Sequence, residues 1–120
     1  MADSLPIQSP RSLTGAQRRA LRGLGHHLKP VVQIGGFGLT EAVVAATRDA
    51  LAHHELIKIS TASEAPVDRK AAPLELARLT GAHVAQVIGR TALLYRRRPG
   101  DPTVALPGRV DEVSTSTGDA

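Results

Sequence analysis

Apolar residues recur at helical spacing near the start of the chain. Thr14 and Gln17 stand three residues apart, which is the spacing of a capping box at the beginning of a helix. Ala20, Leu21 and Leu24 then share one side of that helix. We expect this side to pack against the core and the opposite, polar side to face solvent.

Further along the chain, short apolar runs alternate with longer amphipathic stretches, which predicts strands that alternate with helices. Gly89-Arg90 separates the last two runs and suits a tight type II′ turn between antiparallel strands. Pro73 must lie early in its helix, or bend it. The predicted elements are a strand at 31–34, a helix after Thr40 that ends near 53–54, a strand at 56–60, a helix at about 67–80, and strands at 83–88 and 91–96. The side chains expected to face inward from these two helices are Val43, Ala46, Thr47, Ala50, Leu51, Leu74, Ala77 and Leu79.

The resulting element order is α-β-α-β-α-β-β. Helical crossovers place successive strands in one sheet, and the last two strands add an antiparallel hairpin. We therefore predict an α/β fold, in which helices pack on a compact, mixed four-stranded sheet. Residues 1–11 are predicted to be a disordered N-terminal tail, residues 12–98 the folded domain, and residues 99–120 a flexible acidic C-terminal tail.

Charge is distributed unevenly along this chain of 120 residues, whose formal net charge is +4. Residues 11–98 hold fourteen Lys and Arg against six Asp and Glu, whereas residues 99–120 hold one Arg against four acidic residues, and Asp3 supplies the remaining negative charge. A basic folded part favours a polyanionic partner, above all a nucleic acid. One Phe and one Tyr are too few for the aromatic stacking surface of an RNA-recognition-motif sheet.

The sequence Gly35-Gly36-Phe37-Gly38 lies between a predicted strand and a predicted helix, and it is the strongest candidate for a binding site. A helix that begins at such a loop directs unpaired amide N–H groups, and the positive end of its dipole, at one place where phosphate can bind. The expected contacts run from the glycines to Leu39 and Thr40. The same glycines are also compatible with a tight turn that only requires positive φ.

Aromatic and basic side chains extend this candidate site. Phe37, at the tip of the loop, either stacks on an unpaired base or folds back into the core, and packing is the favoured expectation. The arginines of the first helix are expected to lie near the loop, because only one strand separates them in sequence. The basic residues predicted to contact phosphate are Arg18, Arg19, Arg22, Lys29, Lys58 and Arg96.

No metal site, cofactor or catalytic centre is expected. Adjacent histidines at 26–27 and 53–54 point to different sides of a helix, and the scattered acidic residues form no catalytic pair. No apolar run approaches the roughly 18 residues of a membrane span. Residues 1–12 lack the features of a signal peptide, and the absence of cysteine fits a cytosolic protein.

Residues 13–96 closely resemble the CRM domain (chloroplast RNA splicing and ribosome maturation), in its stand-alone bacterial, YhbY-like form. Three segments carry the resemblance in the family's order and spacing: LTGAQRRALRGLGHHLKPVVQIGGFGLTEAV, ALAHHELIKI and LTGAHVAQVIGRTALLYR. The resemblance implies a fold similar to the C-terminal domain of translation initiation factor three. It also implies that Gly35–Gly38 is the family's G-x-x-G loop, which is implicated in RNA contact. Phe37 replaces a residue that is often polar, and Pro73 interrupts a helix that is usually uninterrupted.

The same resemblance implies RNA binding rather than catalysis. Bacterial members associate with precursors of the large ribosomal subunit and resemble assembly factors. We therefore expect a monomeric, cytoplasmic, ribosome-associated protein that binds ribosomal RNA through backbone phosphates, with ribosomal proteins as further partners and no membrane. The alternative hypothesis is a protein-interaction module that docks on acidic ribosomal or assembly proteins and has incidental RNA affinity. A DNA-binding accessory factor is a third, more remote hypothesis.

Overall fold

The computed structural model describes residues 13–98, 100, 102 and 104–107, so the predicted N-terminal tail at 1–11 lies outside the described residues. The order α-β-α-β-α-β-β and the mixed four-stranded sheet confirm the predicted α/β fold. The elements are α1 (Gly15–Gly25), β1 (Pro30–Ile34), α2 (Glu41–His54), β2 (Leu56–Thr61), α3 (Ala71–Thr80), β3 (His83–Ile88) and β4 (Thr91–Tyr95).

The sheet has the strand order β1-β2-β4-β3, with β1 parallel to β2 and β4 antiparallel to both of its neighbours. The last strand of the chain thus lies between β2 and β3, which leaves β1 and β3 at the two edges. The segments that follow β1 and β2 (residues 35–40 and 62–70) lie at the same end of the sheet as the Gly89-Arg90 turn. We call these three segments the loop end.

Two apolar layers enclose the sheet. Helices α2 and α3 cover one face around Ile34, Leu51 and Ile59, whereas α1 covers the other face around Leu21 and Tyr95. The side chains of β2 point alternately into these two layers, because every second side chain of a strand lies on the same face of the sheet.

Helix α1 begins as predicted. The Thr14 hydroxyl accepts a hydrogen bond from the Gln17 N–H, and the Gln17 side chain accepts one from the Thr14 N–H, both at 3.0 Å. Leu21 is fully buried, but the expectation that Leu24 packs inward was wrong, because its side chain is 53% exposed. Helix α1 packs on β2, β3 and β4. Leu24 lies past these strands, beside Val31 of β1.

Two other predicted core positions also proved to be exposed. Ala46 is exposed because the buried stripe of α2 is narrow and is centred on Thr47 and Leu51. Leu74 is 59% exposed because the buried stripe of α3 runs through Ala72, Leu76 and Thr80, and a residue two positions after Ala72 lies on the opposite side of the helix. The residues of α3 that are buried are Ala72, Pro73, Leu76, Ala77 and Thr80.

The first turn of α3 explains both its late start and its tolerance of proline. The Asp68 carboxylate accepts hydrogen bonds from the N–H groups of Lys70 and Ala71, both at 2.9 Å, so this side chain closes the start of the helix. Pro73 is the third residue of the helix, where its missing N–H would have had no partner within the helix. Its position confirms the expectation that this proline lies early in the helix.

Contacts with the domain continue beyond residue 98, within the stretch predicted to be a flexible tail. Leu106 is 7% exposed and packs with Leu21 and Tyr95. The buried carboxylate of Glu55 accepts hydrogen bonds from the N–H groups of Arg98 and Val104, at 2.5 and 2.6 Å. A buried acid thus holds the chain as it returns to α1. Residues 99, 101, 103 and 108–120 of the predicted tail lie outside the described residues.

Two glycines of α1 provide a matched test of how closely this helix approaches the sheet. A Cβ at Gly25 would lie 2.6 Å from both terminal methyl groups of the buried Leu93, whereas a Cβ at Gly23 would meet nothing within 4 Å. Gly25→Ala should therefore lower the free energy of unfolding by about 1–3 kcal/mol through overpacking. Gly23→Ala should raise it by up to about 1 kcal/mol through helix propensity. Urea denaturation of both variants measures the difference, and equal effects would contradict this packing.

Candidate nucleic-acid interface

The glycine-rich segment after β1 forms a tight turn. The Gly38 N–H donates a hydrogen bond to the Gly35 carbonyl at 3.0 Å, so Gly36 and Phe37 are the two central residues of the turn. The Thr40 N–H then donates to the Gly38 carbonyl, also at 3.0 Å, and helix α2 begins at the next residue. The turn therefore projects from the loop end, and the hydrogen bonds within residues 35–40 fix the segment from which it projects.

The three glycines of this turn have different roles. Gly38 is buried with a φ of +75°, and a Cβ there would lie 3.4 Å from the Pro66 side chain, so its place in the turn requires glycine. Gly35 and Gly36 have no such conformational need. A Cβ at Gly35 would meet nothing within 4 Å, and one at Gly36 would meet only the Glu64 side chain at 3.7 Å. Their missing side chains leave the main chain open to a ligand.

Phe37 stands at the tip of this turn with 92% of its surface exposed. The expectation that it packs into the core was wrong, because the turn directs residues 36 and 37 away from the sheet while Gly38 takes the buried position. Of the two hypotheses raised from the sequence, only the exposed aromatic ring remains. Such a ring offers both faces to a base.

Amide donors surround the tip of the turn. Within the described ranges, the N–H groups of Gly36, Phe37 and Leu39 donate no main-chain hydrogen bond. Thr40 caps α2 as predicted, since its hydroxyl accepts a hydrogen bond from the Val43 N–H at 3.1 Å. The positive end of the α2 dipole lies directly behind the turn. This arrangement suits an anion held by main-chain donors.

Two arginines that the sequence analysis missed lie at the same end of the sheet. The Arg90 guanidinium donates to the Ala62 carbonyl at 3.4 Å, and the Ala62 N–H in turn donates to the carbonyl of Ile34, the residue before the turn. The Arg69 guanidinium donates to the Gly89 carbonyl at 3.0 Å. Both are distant from the turn in sequence, and the pairing of β4 with β2 brings Arg90 to the same end of the sheet.

An acidic side chain also lies beside the turn. Glu64 follows β2, is exposed, and approaches the open side of Gly36 as described above. Glu41, also exposed, occupies the first turn of α2. A carboxylate at the start of a helix competes with a bound anion for the same positive potential. These two carboxylates therefore reduce the positive potential at the turn.

The predicted basic residues do not all gather around the turn. Arg18 was expected near it, but its guanidinium donates to the Val84 carbonyl at 2.7 Å, on the edge strand farthest from β1. Arg19 is exposed and Arg22 is half-buried on the same helix. Lys29 and Lys58 come together at an open groove beside the beginning of β1.

Arg96 lies at the opposite end of α2 from the turn. Its N–H donates to the carbonyl of Glu55, the residue that ends this helix, at 2.9 Å. A helix of 14 residues places its two ends about 20 Å apart. Arg96 therefore cannot contact the same phosphate as the turn, although a long RNA strand can reach both.

Three arginines near the sheet make hydrogen bonds to main-chain carbonyl groups. Arg18, Arg69 and Arg90 donate to these neutral acceptors, and no acidic side chain among the described residues forms an ion pair with them. Arg78 differs, because its guanidinium makes two hydrogen bonds to the Glu75 carboxylate, at 3.0 and 2.6 Å. These bonds hold the pKa of Glu75 below its usual value and raise that of Arg78.

Two other features are absent from the described residues. Within them, no group of three His, Asp or Glu side chains is arranged to hold a metal ion. None of the helices in this part of the chain combines the length and the apolarity needed to cross a membrane.

The family of the chain follows from its sequence together with this fold. Residues 13–96 match the model of the CRS1/YhbY (CRM) domain. The chain belongs to the CRM domain family. The match spans the three helices, the four strands and the glycine turn, and it ends one residue after β4. The resemblance drawn from the sequence motifs is thereby confirmed.

Relatives of this CRM domain protein carry names that refer to RNA. It is 46% identical over 88 residues to an RNA-binding protein of Haemophilus influenzae, in a match that covers 71% of this chain and 86% of the relative. It is 42% identical to a probable RNA-binding protein of Pseudomonas aeruginosa, covering 73% of this chain and 85% of the relative.

A solved structure shows the same fold. The solution structure of a Staphylococcus aureus protein, described there as a proposed RNA-binding protein, has a TM-score of 0.68 to this chain and 35% sequence identity. The match covers 79% of this chain and 99% of that one.

Glu64 offers a test of the potential at the turn. Glu64→Gln removes a carboxylate beside Gly36 while keeping the shape of the side chain. If phosphate binds there, the affinity for RNA should rise roughly 2- to 5-fold at low salt, the effect of one partly screened charge. Fluorescence anisotropy with a labelled RNA hairpin measures this change. Asp49→Asn, at an exposed position in the second half of α2, is the control, and an unchanged affinity for the Glu64 variant would place phosphate elsewhere.

Proposed function

We propose that this protein binds structured RNA and holds it by the exposed turn at Gly36 and Phe37. The observation that carries the proposal is the combination of free amide donors, a helix N-terminus and a fully exposed aromatic ring on a turn that is fixed at its base. Membership of the CRM domain family and the names of the relatives support RNA as the ligand.

The geometry of the turn favours a particular kind of RNA segment. The amide groups around Gly36 suit one or two backbone phosphates, which give affinity without reading the sequence. Phe37 suits a base that is not paired, because a base inside a continuous helix offers no free face. The preferred ligand is therefore a loop, bulge or junction in which a phosphate lies next to an unstacked base.

The positive surface beyond the turn supplies attraction at longer range. Arg69 and Arg90 lie at the loop end, whereas Arg19 and Arg22 lie on α1. Together they extend the path along which a backbone can run, and Arg96 remains a predicted contact for a longer strand. We propose that the ligand in the cell is RNA of the large-subunit precursor, that the protein assists ribosome assembly in the cytoplasm, and that it performs no catalysis. The family resemblance supports this assignment.

Gly36→Glu tests the turn directly. Gly36 does not require positive φ, so the new side chain should leave the fold intact but place a second carboxylate at the phosphate position. We expect the affinity for RNA to fall at least about tenfold. Ala46→Glu is the control, because it adds the same charge at an exposed position in the middle of α2.

A salt titration accompanies this comparison. For wild-type protein that engages four to five phosphates, the logarithm of affinity should fall against the logarithm of salt with a slope of roughly −3 to −4. The Gly36→Glu variant should have a shallower slope. A flat response in the wild type, or equal losses in both variants, would contradict phosphate binding at the turn.

Phe37→Ser tests base stacking. Because the ring is exposed, its loss should leave the free energy of unfolding unchanged within about 0.5 kcal/mol. The affinity for a hairpin with an unpaired loop should fall by about 1–3 kcal/mol, which corresponds to roughly 5- to 150-fold. Leu74→Ser, another exposed apolar position, is the control. An equal loss of affinity for a continuous RNA duplex would show that the ring does not stack on an unpaired base.

A further inference from the structure

A second surface lies on the α1 face of the sheet, away from the glycine turn. An open groove of about 450 Å³ runs between the end of α1 and the first residues of β1 and β2. Leu24, Leu28 and Val31 line it together with Lys29, His54 and Lys58. It exists because α1 packs on β2, β3 and β4 and stops short of the edge strand β1.

The groove concentrates the exposed apolar surface of the protein. Leu24 is 53% exposed, Leu28 37% and Val31 54%. In the described part of the chain six large apolar side chains are exposed, and these are three of them. Single exposed apolar residues are ordinary, but a cluster in a concave surface marks a place where another molecule binds.

The polar side chains that line the groove are those of two lysines and one histidine. Lys29, Lys58 and His54 line it, and none of its described lining residues is an Asp or a Glu. The occupant should therefore bring carboxylates to the lysines and apolar side chains to the leucines and valine. Charge complementarity of this kind selects an acidic partner and disfavours a basic one.

The chemistry of the walls favours protein over RNA. The apolar residues that line the groove are aliphatic, so they provide no aromatic face for a base. Aliphatic side chains would displace water from a ribose-phosphate strand and would not replace the hydrogen bonds that the water made to the strand. The groove also begins at the opposite end of β1 from the glycine turn, and the five residues of that strand span about 13 Å.

We propose that this groove docks a segment of a partner protein in which aliphatic or aromatic side chains stand next to Asp or Glu. The inference goes beyond RNA binding and does not depend on it. A domain with both surfaces joins an RNA held at the loop end to a protein held at the beginning of β1.

Site-specific crosslinking identifies the occupant. A benzophenone amino acid replaces Val31 in the full-length chain, which is expressed in its own cells and irradiated, and mass spectrometry identifies the attached segment. The control carries the same residue at Ala46, which is exposed on α2 on the other side of the sheet. We expect position 31 to yield one recurrent protein segment that is both apolar and acidic. Attachment to RNA, or no product beyond that of the control, would overturn the proposal.

A binding titration then separates the two surfaces. The crosslinked segment, made as a synthetic peptide, is titrated into wild-type protein and into the Val31→Ser, Lys58→Gln and Gly36→Glu variants. Val31→Ser and Lys58→Gln should each weaken peptide binding at least about fivefold, whereas Gly36→Glu should weaken RNA binding alone. Unchanged peptide affinity in both groove variants would overturn the groove. Equal loss of RNA and peptide in Gly36→Glu would overturn the separation of the two surfaces.

Discussion

The main-chain hydrogen bonds that close the ends of β1 and β2 are the constraint on which the site depends. The Ala62 N–H donates to the Ile34 carbonyl at 2.9 Å, and the Thr61 N–H donates to the Arg90 carbonyl at 2.8 Å. These two bonds tie the end of β1, the end of β2 and the hairpin turn into one framework. The glycine turn is built on that framework, so its tip is held in place although it makes few contacts itself.

This framework allows different residues of one short segment to meet two opposing requirements. A loop that binds phosphate needs free amide groups, whereas a stable loop needs its polar groups satisfied. Gly38 meets the second need, since it is buried and its N–H is bonded within the turn. Gly36 and Phe37 meet the first, since both are exposed. A phosphate would satisfy the exposed amides, and an unpaired base would cover the exposed ring.

Signals between residues that are close in sequence predicted most of the fold. The features that the sequence did not predict depend on contacts between residues that are distant in sequence. The capping box at Thr14, the cap at Thr40 and the hairpin turn at Gly89 involve neighbours in sequence, so the residues reveal them directly. The approach of Arg90 to the turn, the burial of Glu55 and the groove beside Val31 depend on which strands become neighbours and on how far α1 reaches. The sequence alone predicted the glycine loop, but it did not show which of its residues face outward.

Chemical-shift mapping of the full-length protein tests the central claim most directly. An RNA hairpin with an unpaired loop is titrated into ¹⁵N-labelled protein, and the amide resonances are followed. We predict that the largest shifts occur at Gly36, Phe37 and Leu39, with smaller shifts at Arg69 and Arg90. The account would be contradicted if these amides kept their resonances while saturating RNA shifted others, for example those of Arg96 or of the groove beside Val31.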